Sequence, residues 1–199
     1  MLPKAIHAIG LAVLASLAQS SRAQTVEEYT AAADKEGCLA IPYSNWREKC
    51  QTHQSDVKLW CDGKGRRSCD ESGLRSESFL EKIRNLEIGI KERTSQNKLD
   101  EARDLEDKKK TAENELASAR KEVERRRDIT QQCIQHRVLV QSVFDSAIQR
   151  VESERGDSSK AAIHVTLDKI KKTLSDGKGD HATQIQEARK SEEECQKQL

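Results

Sequence analysis

Apolar residues return at every third or fourth position from Ala102 to Val151. The run is Ala102, Leu105, Lys109, Ala112, Leu116, Ala119, Val123, Arg126, Thr130, Cys133, Arg137, Val140, Phe144, Ala147 and Val151. Eleven of these fifteen positions are apolar when cysteine is counted. At 3.6 residues per turn such positions stay on one face, so the repeat predicts a long helix with a narrow seam against other helices. The alanines allow a close helix–helix approach.

A second seam lies upstream. Phe79, Ile83, Leu86 and Ile90 fall at 4-3-4 spacing, behind a capping box made by Ser78 and Glu81. The two seams are out of phase across the stretch ERTSQNKLD. Either one helix carries a stutter there, or the chain reverses at Thr94–Asn97. Reversal is the preferred reading, because an antiparallel hairpin lets each seam cover the other and Ser and Asn favour turns. Downstream, Gly156-Asp157-Ser158-Ser159 predicts a break. Ile163, Leu167, Ile170 and Leu174 then form a third seam, which DGKGD at 176–180 is expected to end. Ala182, Ile185, Ala188, Cys195 and Leu199 form a weaker fourth. The C-terminal part therefore reads as a small up-down-up bundle.

Composition sharpens this picture. Charged residues make up 35% of the chain and aromatics 3%, too little apolar surface for a large core and well suited to long solvated helices. Acid-first pairs such as Glu87–Lys91, Asp104–Lys108, Glu106–Lys110 and Glu122–Arg126 mark solvated faces. The N-terminal third differs in texture. It holds both tryptophans, four of the six cysteines, Pro42, Tyr43 and the loop DGKGRRS. Thr25 and Glu28 make a capping box for a short opening helix ahead of Gly37.

The first 23 residues change the chemistry expected of the rest. Lys4 is a basic n-region, Ala5–Ala18 an apolar run, and Ser21 and Ala23 small residues before Gln24. This is the three-part pattern of a secretory signal peptide. The run is shorter than the ~20 residues of a membrane span. Without Lys4 and Arg22 the chain carries 33 basic and 34 acidic residues. That balance argues against a general nucleic-acid binder, whose affinity rests on neutralising phosphates.

In an exported chain an even cysteine set reads first as disulfides. The set is Cys38, Cys50, Cys61, Cys69, Cys133 and Cys195. The preferred arrangement is nested, Cys38–Cys69 outside Cys50–Cys61, with QTHQSD turning the chain back. The sequential set, Cys38–Cys50 and Cys61–Cys69, is the alternative. Either leaves Cys133 for Cys195. With turns near 157 and 178, however, Cys133 lies ~35 Å from the first turn at 1.5 Å per residue. Cys195 would fold back to about the level of residue 153. A bridge needs Cα atoms under ~7 Å apart. The bundle bends, or Cys133 pairs with the N-terminal unit, or the link is between chains. A competing reading makes Cys50, His53, Cys61 and Cys69 a metal- or redox-linked set, although C-x2-H-x7-C-x7-C matches no strong zinc spacing. Cys133 and His136, one helical turn apart, could supply half of another such site.

Other features carry less. Arg155-Gly156-Asp157 is a common turn-forming tripeptide, and KKK at 108–110 and RRR at 125–127 sit among acids without stacking aromatics. His53, His136, His164 and His181 belong to no H-E-x-x-H motif, and G-x-S-x-G and P-loop patterns do not occur. Tyr43, Trp46 and Trp60 are candidates for partner binding, since aromatics dominate interface hot spots. A small stapled unit also needs them for its own core.

The sequence thus predicts an all-α chain. Residues 1–23 form the signal peptide, 24–75 a disulfide-stapled unit, 76–155 a long antiparallel helical hairpin or coiled-coil-like bundle, and 156–199 C-terminal helices packed on its end. The expected function is non-enzymatic, in protein–protein interaction or envelope structure, for a secreted or periplasmic protein. A protein partner or self-association through an exposed seam is expected, with no cofactor, nucleic acid, membrane span or small-molecule substrate. Long exported hairpins in periplasmic chaperones and adaptors are an alternative by analogy of shape.

Overall fold

The computed structural model describes residues 37–199. The signal peptide expected at 1–23 and the helix capped by Thr25 and Glu28 lie outside the described residues. The described chain is all-α, without strands. A 3-10 turn at Gly37–Ala40 leads into α1 (Ser44–Val57), which continues as a π-helical segment, Lys58–Gly63. A second 3-10 turn, Ser72–Leu74, precedes α2 (Ser76–Ser95), α3 (Leu99–Asp157) and α4 (Ala161–Gln198).

α3 is the spine. Its 59 residues span ~88 Å at 1.5 Å per residue, and α1, α2 and α4 all pack on it. Every position of its 3-4 seam is used. Leu105, Lys109 and Arg137 are half-buried and the other seam residues are buried. The α3 seam is thus covered by the chain's own helices.

Its polar members each have a local reason. Lys109 reaches across to Glu87 of α2 at 2.7 Å and back to Glu113 at 3.6 Å. The Thr130 hydroxyl donates to the Arg126 carbonyl at 2.9 Å. Arg137 donates to Gln184 of α4.

Chain reversal between α2 and α3 occurs where the phase shift predicts it. The Lys98 N–H donates to the Arg93 carbonyl at 2.9 Å and the Asn97 N–H to the Thr94 carbonyl at 3.1 Å. Asn97 sits at φ 58°. This is a Schellman ending with Asn at the left-handed position, which its short polar side chain tolerates better than most. α2 then lies along the first part of α3, and α4 along the rest.

The start of α2 and the end of α4 meet at one level of α3. There the Ser76 hydroxyl donates to the Gln198 carbonyl. Cys69, Leu74, Ala119, Val123 and Cys195 are buried together, flanked by Phe79 and Leu199. Arg126, 4% exposed, closes this junction by pairing with Glu71 at 3.0 Å and Glu122 at 2.7 Å and donating to the Ser68 carbonyl. Burial pulls the Arg126 pKa down, but the bonds from Glu71 and Glu122 outweigh it and the net shift is upward.

Arg125 and then Arg126 hold the Glu122 carboxyl down at about 2. A depressed carboxyl stabilises the fold above its unfolded value and loses that contribution as pH falls through the folded value. Stability is therefore expected to decline from about pH 4.5 toward about 2 through this group, less steeply in Glu122→Gln. Urea unfolding at stepped pH measures the difference.

The expected break at 176–180 is absent, and α4 runs unbroken through both glycines. Leu167, Ile170, Leu174, Gly177, His181, Ile185, Ala188 and Cys195 stay in phase on one face, and packing of that face overrides the low helix propensity of glycine. Gly177 is a close-approach site: a Cβ there would stand 3.3 Å from the Phe144 ring. At Gly179 a Cβ would meet nothing within 4 Å. Gly179→Ala is expected to stabilise the protein by about 1 kcal/mol, the helix-interior difference between the two residues, as a higher urea midpoint at unchanged m.

Candidate functional site

The six cysteines form three bridges: Cys38–Cys50, Cys61–Cys133 and Cys69–Cys195. The nested arrangement is therefore wrong, and the reason is helical. QTHQSD does not turn the chain but lies inside α1, and Cys50 and Cys61 share one continuous helical segment. Eleven residues of helix separate them by ~16 Å, beyond the reach of a bridge. The sequential alternative holds for Cys38–Cys50 and fails for Cys61–Cys69. Cys133 and Cys195 do not pair with each other. With no turn at 178, α4 carries Cys195 past the level of Cys133 to the start of α2, and each cysteine crosses to the N-terminal unit. The bridges also remove Cys50, Cys61 and Cys69 as metal ligands, and Cys133 as a partner for His136.

Tyr43, Trp46 and Trp60 are half-buried and pack against the main core, which holds Ile41, Val57, Val140, Phe144, Val151, Leu167 and Leu174. Tyr43 and Trp46 meet edge to face, with centroids 4.9 Å apart. The Lys64 ammonium stands 5.3 Å from the Trp60 ring. These aromatics brace α1 on the spine.

A concavity opens between α1, α3 and α4, a cleft of about 1060 Å³. Phe144, 1% exposed, lies at its base against Gly177, with His181 tilted beside the ring at 5.9 Å between centroids. Gln51, Gln54 and Gln184 supply amides, Asp62, Asp176 and Asp180 carboxylates, and Lys58 and Arg137 cations.

Arg137 Nε and His181 Nδ1 are buried without a hydrogen-bond partner. Burial lowers the Arg137 pKa, with Asp62 opposing and Arg66 reinforcing. Burial, then the Arg137 charge, lowers that of His181, which favours the neutral ring. The lining hydroxyls are committed elsewhere. Ser55 donates to the Gln51 carbonyl at 3.0 Å and Thr173 to the Lys169 carbonyl at 3.1 Å. Neither hydroxyl is hydrogen-bonded to His181.

The chain matches no protein-family model, no curated protein and no solved structure.

The remaining sequence candidates fall into the scaffold. Arg155 of the RGD tripeptide pairs with Asp168 at 2.9 Å, and Arg125 pairs with Glu122 at 2.8 Å. His164 Nε2 lies 2.7 Å from the Ser158 carbonyl and ties the α3–α4 turn. Among the described residues no helix is long and apolar enough to cross a membrane. Sequence reasoning missed the cleft because its walls come from three distant segments. The one available signal was the in-phase run Leu174, Gly177, His181, Ile185, which places a glycine and a histidine on the face toward Phe144.

Proposed function

We propose that this is an exported, non-enzymatic binding protein whose cleft receives a polar segment of a partner protein. The observation that carries this is the composition of the cleft. Amides, carboxylates and Arg137 surround an aromatic base, while both lining hydroxyls are bound to their own helices. Such a wall can pair with backbone and side-chain groups of a peptide and offers no activated nucleophile. Cys61–Cys133 holds the α1 segment on the spine and Cys38–Cys50 holds the opening 3-10 turn on α1, so the cleft is preformed and binding costs little ordering. Export rests on the leader pattern together with three disulfides.

A photo-crosslinking residue at Gln54 or Asp180, expressed in the source cell, tests the reading. The cleft positions are expected to yield adducts with one discrete protein, and exposed Lys110 of α3 none. Adducts that form equally at Lys110, or none at the cleft, contradict it.

A further inference from the structure

Beside the cleft, on the other face of α1, three ligand-bearing side chains converge. His53 and Asp56 are three residues apart on α1, hence neighbours on one helix face, and His136 reaches them from α3. One ring nitrogen from each histidine and one Asp56 carboxylate oxygen lie within 4.8 Å of one another. His136 Nδ1 stands 3.5 Å from Asp56 Oδ2, too far for a good hydrogen bond. Nδ1 of His53 and of His136 are both buried without a hydrogen-bond partner. Buried polar atoms are rarely left so, and two such histidines grouped with one carboxylate fit a shared cation.

We propose that His53, Asp56 and His136 bind a first-row divalent transition ion, with Zn²⁺ the representative. Two imidazoles and a carboxylate suit such a borderline cation and not Mg²⁺ or Ca²⁺, which take oxygen ligands. Zinc bonds of ~2.0–2.2 Å put tetrahedral ligand atoms about 3.4 Å apart. Binding requires the trio to close from its spacing of up to 4.8 Å to that value. Its backbone is held in place, because each histidine follows a bridged cysteine by one turn. Cys50 precedes His53, and Cys133 precedes His136. The disulfides that remove cysteine from the ligand set thereby preorganise the histidines. Three protein ligands leave a coordination position open for water or a side chain of a bound partner. The site stands independently of the cleft's role.

The test uses the untagged, disulfide-intact protein titrated with Zn²⁺ by calorimetry, and with Co²⁺ by visible absorption. The expected result is one equivalent bound, with d–d bands of a low-coordinate Co²⁺ site. His53→Ala, Asp56→Asn and His136→Ala each weaken binding about tenfold or more, while His164→Ala leaves it unchanged. Circular dichroism and non-reducing peptide maps establish that each variant keeps the fold and its bridges. A wild-type protein that takes up neither ion, or an affinity unmoved by His53→Ala and His136→Ala, overturns the proposal.

Discussion

Replacing Cys69 and Cys195 together by alanine is expected to lower the unfolding free energy by about 5 kcal/mol. The bridge closes 126 residues of chain, and a cross-link across so long a loop removes much freedom from the unfolded ensemble. It also sits where the fold is most dependent on it. α2 and α4 never run side by side; they meet end to end over Ala119 and Val123, and Cys69 and Cys195 are the covalent part of that junction. The companion variant lacking Cys38–Cys50, which closes only 12 residues, is expected to lose less, about 3 kcal/mol. Urea unfolding of the two variants side by side reads the order. Equal losses, or a larger loss for the short loop, would show that local packing and not chain closure sets the contribution.

Phe144→Ala is expected to cost about 3–5 kcal/mol, the range for emptying a fully buried aromatic site. The ring is 1% exposed and is the largest fully buried side chain among the described residues. It fills the space that Gly177 leaves on α4, where a Cβ would come within 3.3 Å of the ring. The two positions are therefore complementary and should couple. Gly177→Leu alone is expected to destabilise by overpacking. On the Phe144→Ala background it should recover part of the loss, because the new side chain enters the vacated volume. Thermal unfolding of the four-member cycle measures the coupling, and strict additivity would show that Gly177 and Phe144 do not share one site.

The parts of this fold legible in the sequence are those written as period and phase. The fifteen seam positions of α3 and the reversal at Thr94–Asn97 follow from 3-4 spacing and a phase jump, which local chemistry alone produces. DGKGD was misread because two glycines were weighed as a break in isolation. Their in-phase neighbours Leu174, His181 and Ile185 show a helix continuing, and Phe144 supplies the reason for Gly177. The bridge map was misread because proximity along the chain stood in for proximity in space. Once 44–63 is seen as helix, Cys50 and Cys61 face one way on separate turns and must seek partners on other elements. The cleft and the His53–Asp56–His136 trio were out of reach for the same reason. Each depends on which turns of α3 lie opposite α1, and that register is set by Cys61–Cys133, a contact across 72 residues that no local pattern encodes.

The account turns on one long helix, with Cys61–Cys133 tying the N-terminal unit to it and Cys69–Cys195 tying that unit to the end of α4. Non-reducing peptide mapping of the protein recovered from its native host tests this most directly. The expected result is Cys38–Cys50, Cys61–Cys133 and Cys69–Cys195 in a chain beginning at Gln24, with no free thiol. A Cys50–Cys61 or Cys133–Cys195 peptide, or free thiols on a chain that keeps its first 23 residues, would contradict it.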